Sequence, residues 1–478
     1  MIGLAALAAC GSYGGATGGG AGDFGATQGG VQDMSLAREA VENGRVPAPE
    51  ALLVEGMFSE HDLPLEGAAC ETLLCLRGAL GVAPDASGEP AGWMQVGMSS
   101  TIEPETYERP SVTIVATVDV SGSMHWGYEE DPTPGEVSRA MLHRIADELD
   151  AQDRIAIVTY GSDVNKRLGP TPGDQHGTIE RKIDDLSGGG STNMEAGLRK
   201  AYDIGRDARG QTDEVRVMLF TDVRPNVGAT DASEFERMTA AGAGDGIGLT
   251  LMSAGLGLDP KLAKSMSHLR GGNAFSLFDF EDVDETMEGD WPWMVSPIAY
   301  DLRIELEASS GFGVVEGYGF PTGEAEGQAS MEVSTVFLSE RKGALLLQLA
   351  PLGDTAMSEL AVSGRLSYTT PAGEPVEQSL ELQVPAESVP AEGSWFEQPG
   401  VEKTTALALL VSGMREAAEL YGSDRDAAVE TMRAAYERFE ADAEAIDDPA
   451  IGEEVGFAGQ MLELMQSGAS QETFYGGR

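Results

Sequence analysis

The sequence predicts an α/β protein in which a doubly wound, mostly parallel sheet is inserted in an antiparallel β domain and followed by a C-terminal helical region. Three patterns predict it. Between residues 109 and 292, short β-branched apolar runs alternate with helical periodicities, as expected of strands buried on both faces and joined by crossover helices. Period-2 alternation appears after residue 300 and strand-like sequence also occurs before residue 109, so the α/β unit interrupts a β domain. From residue 401 apolar residues recur at helical spacing.

The N-terminal elements read as an address and a tether. Residues 1–10 end a short apolar run in Leu7-Ala8-Ala9-Cys10, which resembles the bacterial lipobox and implies a lipoprotein signal with Cys10 lipidated. No Lys or Arg precedes the run, and the run is short. Residues 11–32 are glycine-rich, with ten glycines between 11 and 30. Such a segment buries too little apolar surface to order itself and is expected to be a flexible tether with a reach of roughly 25 Å. Residues 33–108 form an N-terminal flanking region with a helical stretch and a strand at 91–100. An exported chain meets oxidising conditions, so Cys70 and Cys75 are expected to pair. The objection is that a helical i, i+5 spacing would point the two side chains apart.

The unit at 109–292 is the informative part. The run 112–118 (VTIVATV) is a buried parallel strand ending in Asp119-Val120-Ser121-Gly122-Ser123. A helix follows at about 136–149, then a strand at 154–160. The loop GGGSTN (188–193) leads into a helix at about 194–208, and the strand 215–221 ends at Asp222. A helix near 231–241, a strand at 248–254, a helix near 260–268, a strand at 273–279 and a helix near 281–288 complete the alternation. The run GAGDGIG (242–248) follows a helix and precedes a strand, so it reads as a helix stop and turn and not as a phosphate loop.

Ligands of such sheets sit at the carboxyl ends of the strands. Asp119 and Asp222 fall at two of these ends, and Thr192 falls in a loop beside them. Converging carboxylates and hydroxyls are hard-oxygen ligands suited to Mg²⁺. This D-x-S-x-S, loop Thr and strand-end Asp pattern resembles the von Willebrand factor A domain, a Rossmann-like fold with a metal-ion-dependent adhesion site (MIDAS). The resemblance implies a metal set of Asp119, Ser121, Ser123, Thr192 and Asp222 holding Mg²⁺ (or Mn²⁺ or Ca²⁺). It departs at Val223, where the family usually has Gly. The loop Met124–Pro132 is long and should overhang the metal. Its Trp126 and Tyr128 suit a specificity loop, while its acidic residues suit a merely solvated one.

Beyond this unit, 293–390 alternates as a β-rich domain, with strand-like runs at 301–307, 313–320, 334–340, 344–350, 360–369 and 376–384. Residues 400–468 form the helical region, with Ser423-Asp424 and Asp447-Asp448-Pro449 as start signals for second and third helices. The layout from about 38 to 465 resembles the YfbK-type von Willebrand factor A lipoproteins of bacteria.

Composition narrows the function. Of 478 residues, 31 are Lys or Arg and 79 are Asp or Glu, a formal charge of −48. Such a chain is repelled by nucleic acid and by anionic lipid headgroups, and it favours hard cations. No 18-residue apolar stretch suggests a transmembrane helix, so membrane attachment is expected by the lipid anchor only. Three cysteines and five scattered histidines suit neither a zinc module nor a histidine metal site. No HExxH, GxxxxGK[ST] or GxSxG motif occurs, and no catalytic residue or organic cofactor is assigned. The expected function is a metal-dependent protein-binding module at the bacterial cell envelope, on the outer membrane. Its expected partner presents Asp or Glu to the metal. The alternatives are a structural envelope component that uses the A domain as a scaffold, and a metal-assisted hydrolase.

Overall fold

The computed structural model describes residues 25–28, 34–103, 106–126, 132–222, 232–254, 272–277, 279–289, 291–320, 327–339, 344–390 and 393–472. Six strands form the α/β sheet in the spatial order Val164–Pro172, Arg154–Tyr160, Val112–Asp119, Glu214–Thr221, Gly248–Ala254 and Gly272–Leu277. Neighbours run parallel throughout, except that Val164–Pro172 pairs antiparallel with Arg154–Tyr160. The central strand Val112–Asp119 is buried at every residue, which explains its unbroken apolar sequence.

Helices cover both faces. On one, Pro134–Glu148, His176–Asp184 and Phe280–Gly289 contribute Met141, Ile145, Ile179, Ile183, Val283 and Met287. On the other, Met194–Ala208 and Ala232–Gly244 contribute Met194, Leu198, Ala201, Tyr202 and Phe235. Local chemistry sets the helix starts. Thr133 and Glu136 form a capping box with Pro134 at the first position, and Asn193 Oδ1 accepts from the Ala196 N–H at 3.1 Å. The run 242–248 is the expected stop: the helix ends at Gly244 and Gly246 takes a φ of +73°. The helix expected near 260–268 lies outside the described residues.

The α/β unit is inserted between Ser100 and Pro297 of an antiparallel β sandwich. One sheet has the order Gly25–Gln28, Gln328–Ser339, Pro297–Ala308, Ala361–Thr369, Pro375–Gln383. The other runs Phe312–Tyr318, Leu345–Pro351, Pro90–Ser100, Leu74–Pro84, Trp395–Phe396. Leu76, Leu80, Met94 and Val96 of the second sheet meet Leu302, Ile304, Leu306 and Leu366 of the first. The outer face of the second sheet, with Ala79, Ala83 and Trp93, is covered by the helix Pro399–Tyr421. Two further helices, Arg425–Ile446 and Pro449–Ser467, pack on that one and start at the capping residues Asp424 and Asp448.

Within the flanking region 33–108, Ser35–Glu42 and Val54–Ser59 join the C-terminal helices, while Leu74–Pro84 and Pro90–Ser100 join the sandwich. One expectation needs correction. Within the 11–32 tether, Gly25–Gln28 is a strand paired antiparallel with Val336–Ser339. Adding an edge strand requires only backbone hydrogen bonds, so a glycine-rich sequence can supply one. Cys70 and Cys75 are joined as a disulfide with Cα atoms 5.7 Å apart. Cys75 lies in the strand Leu74–Pro84, so the helical geometry that would separate the two side chains does not arise.

Candidate metal centre

The strand Val112–Asp119 delivers Asp119 to the carboxyl edge of the sheet, and its neighbour Glu214–Thr221 ends one residue before Asp222. Both carboxylates are buried, Asp119 at 2% and Asp222 at 6% exposure. The chain then turns sharply. The Ser121 N–H donates to Asp119 Oδ1 at 2.8 Å, and Thr221 Oγ1 donates to Asp119 Oδ2 at 3.3 Å. The Ser121 and Ser123 hydroxyls are 3.1 Å apart, and Ser123 Oγ donates to Asp222 Oδ1 at 3.1 Å. Asp119, Ser121, Ser123 and Asp222 thus form one hydrogen-bonded group.

Thr192 reaches the same edge through its loop and is 1% exposed. The Gly122 N–H donates to Gly190 O at 3.1 Å, locking the two loops together, and the Asn193 N–H donates to Gly161 O at 3.3 Å. Two of the three loop glycines, Gly188 and Gly190, are in close quarters. A Cβ on Gly188 would lie 2.3 Å from Val120 Cγ2, and one on Gly190, at φ +92°, would lie 2.1 Å from Ser162 Oγ. The GGGSTN sequence is therefore the shape of the site as well as a carrier of Thr192.

The electrostatics are one-sided. Among the described residues, no Lys or Arg forms an ion pair with Asp119 or Asp222. Burial raises the Asp119 carboxyl above its ordinary range. Burial, with the charge of Asp119 adding to it, pushes Asp222 up to about 6. Two buried like charges without a cation are costly. Hydroxyls and carboxylates of this kind are the donor set of a hard divalent cation. The described residues contain no group of three or more His, Cys, Asp and Glu side chains able to hold a metal. A cation here would need the hydroxyls of Ser121, Ser123 and Thr192 beside the two carboxylates.

The rim is aromatic. A turn of 3₁₀ helix, Ser123–His125, buries Met124 and leaves His125 and Trp126 exposed, Trp126 at 82%. Residues 127–131 and Val223 lie outside the described residues, as does Cys10. Tyr160 was not singled out from the sequence. It is fully buried behind Asp119, and its hydroxyl donates to Phe220 O at 3.3 Å. The preceding apolar strand gave it the look of an ordinary core residue.

Several known proteins are similar to this chain. The profile of the von Willebrand factor type A domain matches residues 114–224. The uncharacterized protein YfbK of Escherichia coli (strain K12) is 28% identical over 203 residues, covering 42% of this chain and 34% of that one. Inter-alpha-trypsin inhibitor heavy chain H1 of Mesocricetus auratus is 23% identical over 215 residues, 43% of this chain and 23% of that protein. The alignments thus span about a third of YfbK and under a quarter of the heavy chain. A von Willebrand factor type A structure from Catenulispora acidiphila is similar with a TM-score of 0.49 at 12% identity, covering 86% of this chain and 100% of that one. From the matched segment, which spans both strand-end aspartates, and from the likeness to YfbK, the chain is a von Willebrand factor type A domain protein resembling YfbK.

Proposed function

We propose that the chain is a metal-ion-dependent protein-binding module of the adhesion type, held at the bacterial cell envelope. The observation behind this reading is the pair of buried, uncompensated carboxylates, Asp119 and Asp222, hydrogen-bonded to two serine hydroxyls at the sheet's carboxyl edge. Asp119, Ser121, Ser123, Thr192 and Asp222 would hold Mg²⁺, or Mn²⁺ or Ca²⁺ in its place. When bound, the ion supplies a positive centre with a position for an outside oxygen ligand. The chain's own residues offer two carboxylates, which only balance a divalent charge and leave the ion able to attract another carboxylate. The partner is a protein presenting Asp or Glu. No catalytic residue is proposed.

Attachment is proposed through a lipid on Cys10, with the outer membrane as its site. It is supported by the Leu7-Ala8-Ala9-Cys10 sequence and by Gly11 after it. Among the described residues no helix is long and apolar enough to cross a membrane.

The test is retention of envelope proteins by the immobilised chain in Mg²⁺ and in EDTA, with Asp119→Ala in parallel. The proposal expects a retained protein that is lost with EDTA and with the variant. Retention unchanged by both would leave the A domain as a scaffold and place the contacts on the sandwich or the helices.

A further inference from the structure

Four large apolar side chains are substantially exposed among the described residues: Trp126, Phe280, Val315 and Leu352. Scattered exposed apolar residues need no explanation, but two of these share one end of one domain. Trp126 follows the strand Val112–Asp119, and Phe280 follows Gly272–Leu277 as the first residue of its helix. Both strands belong to the parallel part of the sheet, so both residues lie at its carboxyl edge, where the metal centre is. Trp126 is 82% exposed and Phe280 50%.

Trp126 is held as well as exposed. Its backbone N–H donates to Ser123 O at 2.9 Å, and the Ser123 hydroxyl donates to Asp222. Met124, between them, is buried, and Gly135 packs so closely on it that a Cβ there would lie 2.8 Å from Met124 O. The tryptophan therefore stands on a turn fixed by the same residues that build the metal centre. The backbone under the indole is thus fixed, and a solvated indole gains by being covered.

We infer that Trp126 is a specificity-determining residue of the metal face, and that the segment recognised there carries a bulky apolar side chain next to its Asp or Glu. Phe280 lies at the same edge, three strands away. This inference rests on the metal-dependent reading of the site. The two attractions are complementary: the carboxylate is recognised at the cation, and the neighbouring apolar side chain covers the indole. A segment with a carboxylate alone makes only the first contact.

The probe is a displayed library of seven-residue segments with a fixed central Asp, selected on the full-length chain in Mg²⁺. On the wild type, the selected pool should be enriched in Leu, Ile, Met, Phe or Trp within three positions of the Asp. On Trp126→Ala that enrichment should fall away. A synthetic peptide from the wild-type pool should bind the variant about tenfold or more weakly. Calorimetry should show Mg²⁺ binding to the variant as to the wild type, which excludes collapse of the centre. The five tryptophans give a second readout: Trp93, Trp291 and Trp293 are buried and Trp395 is half-buried, so acrylamide quenching reports chiefly on Trp126. The bound peptide should shield it. Asp segments selected without apolar neighbours, or an enrichment identical on Trp126→Ala, would overturn the inference while leaving the metal reading in place. Segments that bind equally in EDTA, or no selection of Asp segments at all, would overturn both.

Discussion

At the amino end of the parallel sheet, the buried carboxylate of Asp153 is matched. Asp153 accepts from Arg109 Nη1 at 2.9 Å and Nη2 at 2.5 Å, and from the Val112 and Asp150 N–H groups at 2.9 and 3.0 Å. These bonds outweigh burial and hold its carboxyl below the ordinary range. Arg216 is buried there too. It donates to Thr250 Oγ1 at 3.0 Å and Asn273 Oδ1 at 3.2 Å and lies 4.9 Å over the ring of Phe337, a residue of the sandwich. Burial lowers it to about 10, which leaves it charged at neutral pH. At the carboxyl end, Asp119 and Asp222 are buried to a similar degree, yet their carboxyls are pushed up. One sheet thus treats the same kind of group in two ways. The amino end uses charge to fasten the inserted domain to its host. The carboxyl end leaves charge unbalanced where a cation is proposed to bind.

The contrast can be broken from either end. Arg216→Ala should have the largest effect, because it opens a void at the junction and strands Thr250 and Asn273. Urea unfolding should show a loss of about 4 kcal/mol, and Arg216→Met much less. Arg109→Ala should cost about 3 kcal/mol at neutral pH, since Asp153 keeps only its backbone donors. The sign of its pH dependence follows from the depressed Asp153 carboxyl. Its stabilisation is present above the ordinary value of 3.8 and is lost as pH falls through the lower native value. The acid limb of the stability curve should therefore be shallower in Arg109→Ala. Asp222→Asn should do the opposite of both. In metal-free buffer it should stabilise the chain by about 1 kcal/mol, because one of two like charges disappears while an oxygen remains to accept from Ser123. A loss of stability instead would mean that the carboxyl end is matched as well.

Much of this was legible in the sequence, and the rest was hidden for physical reasons. The parallel strands announce themselves because both faces are buried. Asp119, Ser121, Ser123 and Asp222 stand out because polar residues follow apolar strands at their ends, and Thr192 because it sits in a glycine-rich loop before a helix. The insertion could be read from strand-like sequence on both sides. The strand Leu74–Pro84 was missed: its Gly78 and Gly81 look like breaks. In the fold a Cβ on Gly78 would lie 2.9 Å from Leu380, and one on Gly81 2.5 Å from Phe396. They mark close packing on a strand covered by the sandwich on one side and helices on the other. Val164–Pro172 was missed because it is a largely polar edge strand containing two prolines. His176–Asp184, after it, is short and presents only Ile179 and Ile183 to the core. The pairing of Gly25–Gln28 leaves no side-chain signature at all.

The central claim is that the carboxyl-edge group holds a divalent cation. Its most direct test is thermal unfolding of the EDTA-treated full-length chain against increasing Mg²⁺, for the wild type and Asp119→Ala. The wild type should melt at rising temperature as Mg²⁺ increases, gaining about 2.7 kcal/mol when the ion exceeds its Kd about 100-fold. The variant should gain nothing. A wild-type melting temperature that moves with neither Mg²⁺ nor Mn²⁺, or a gain that survives Asp119→Ala, would contradict the claim.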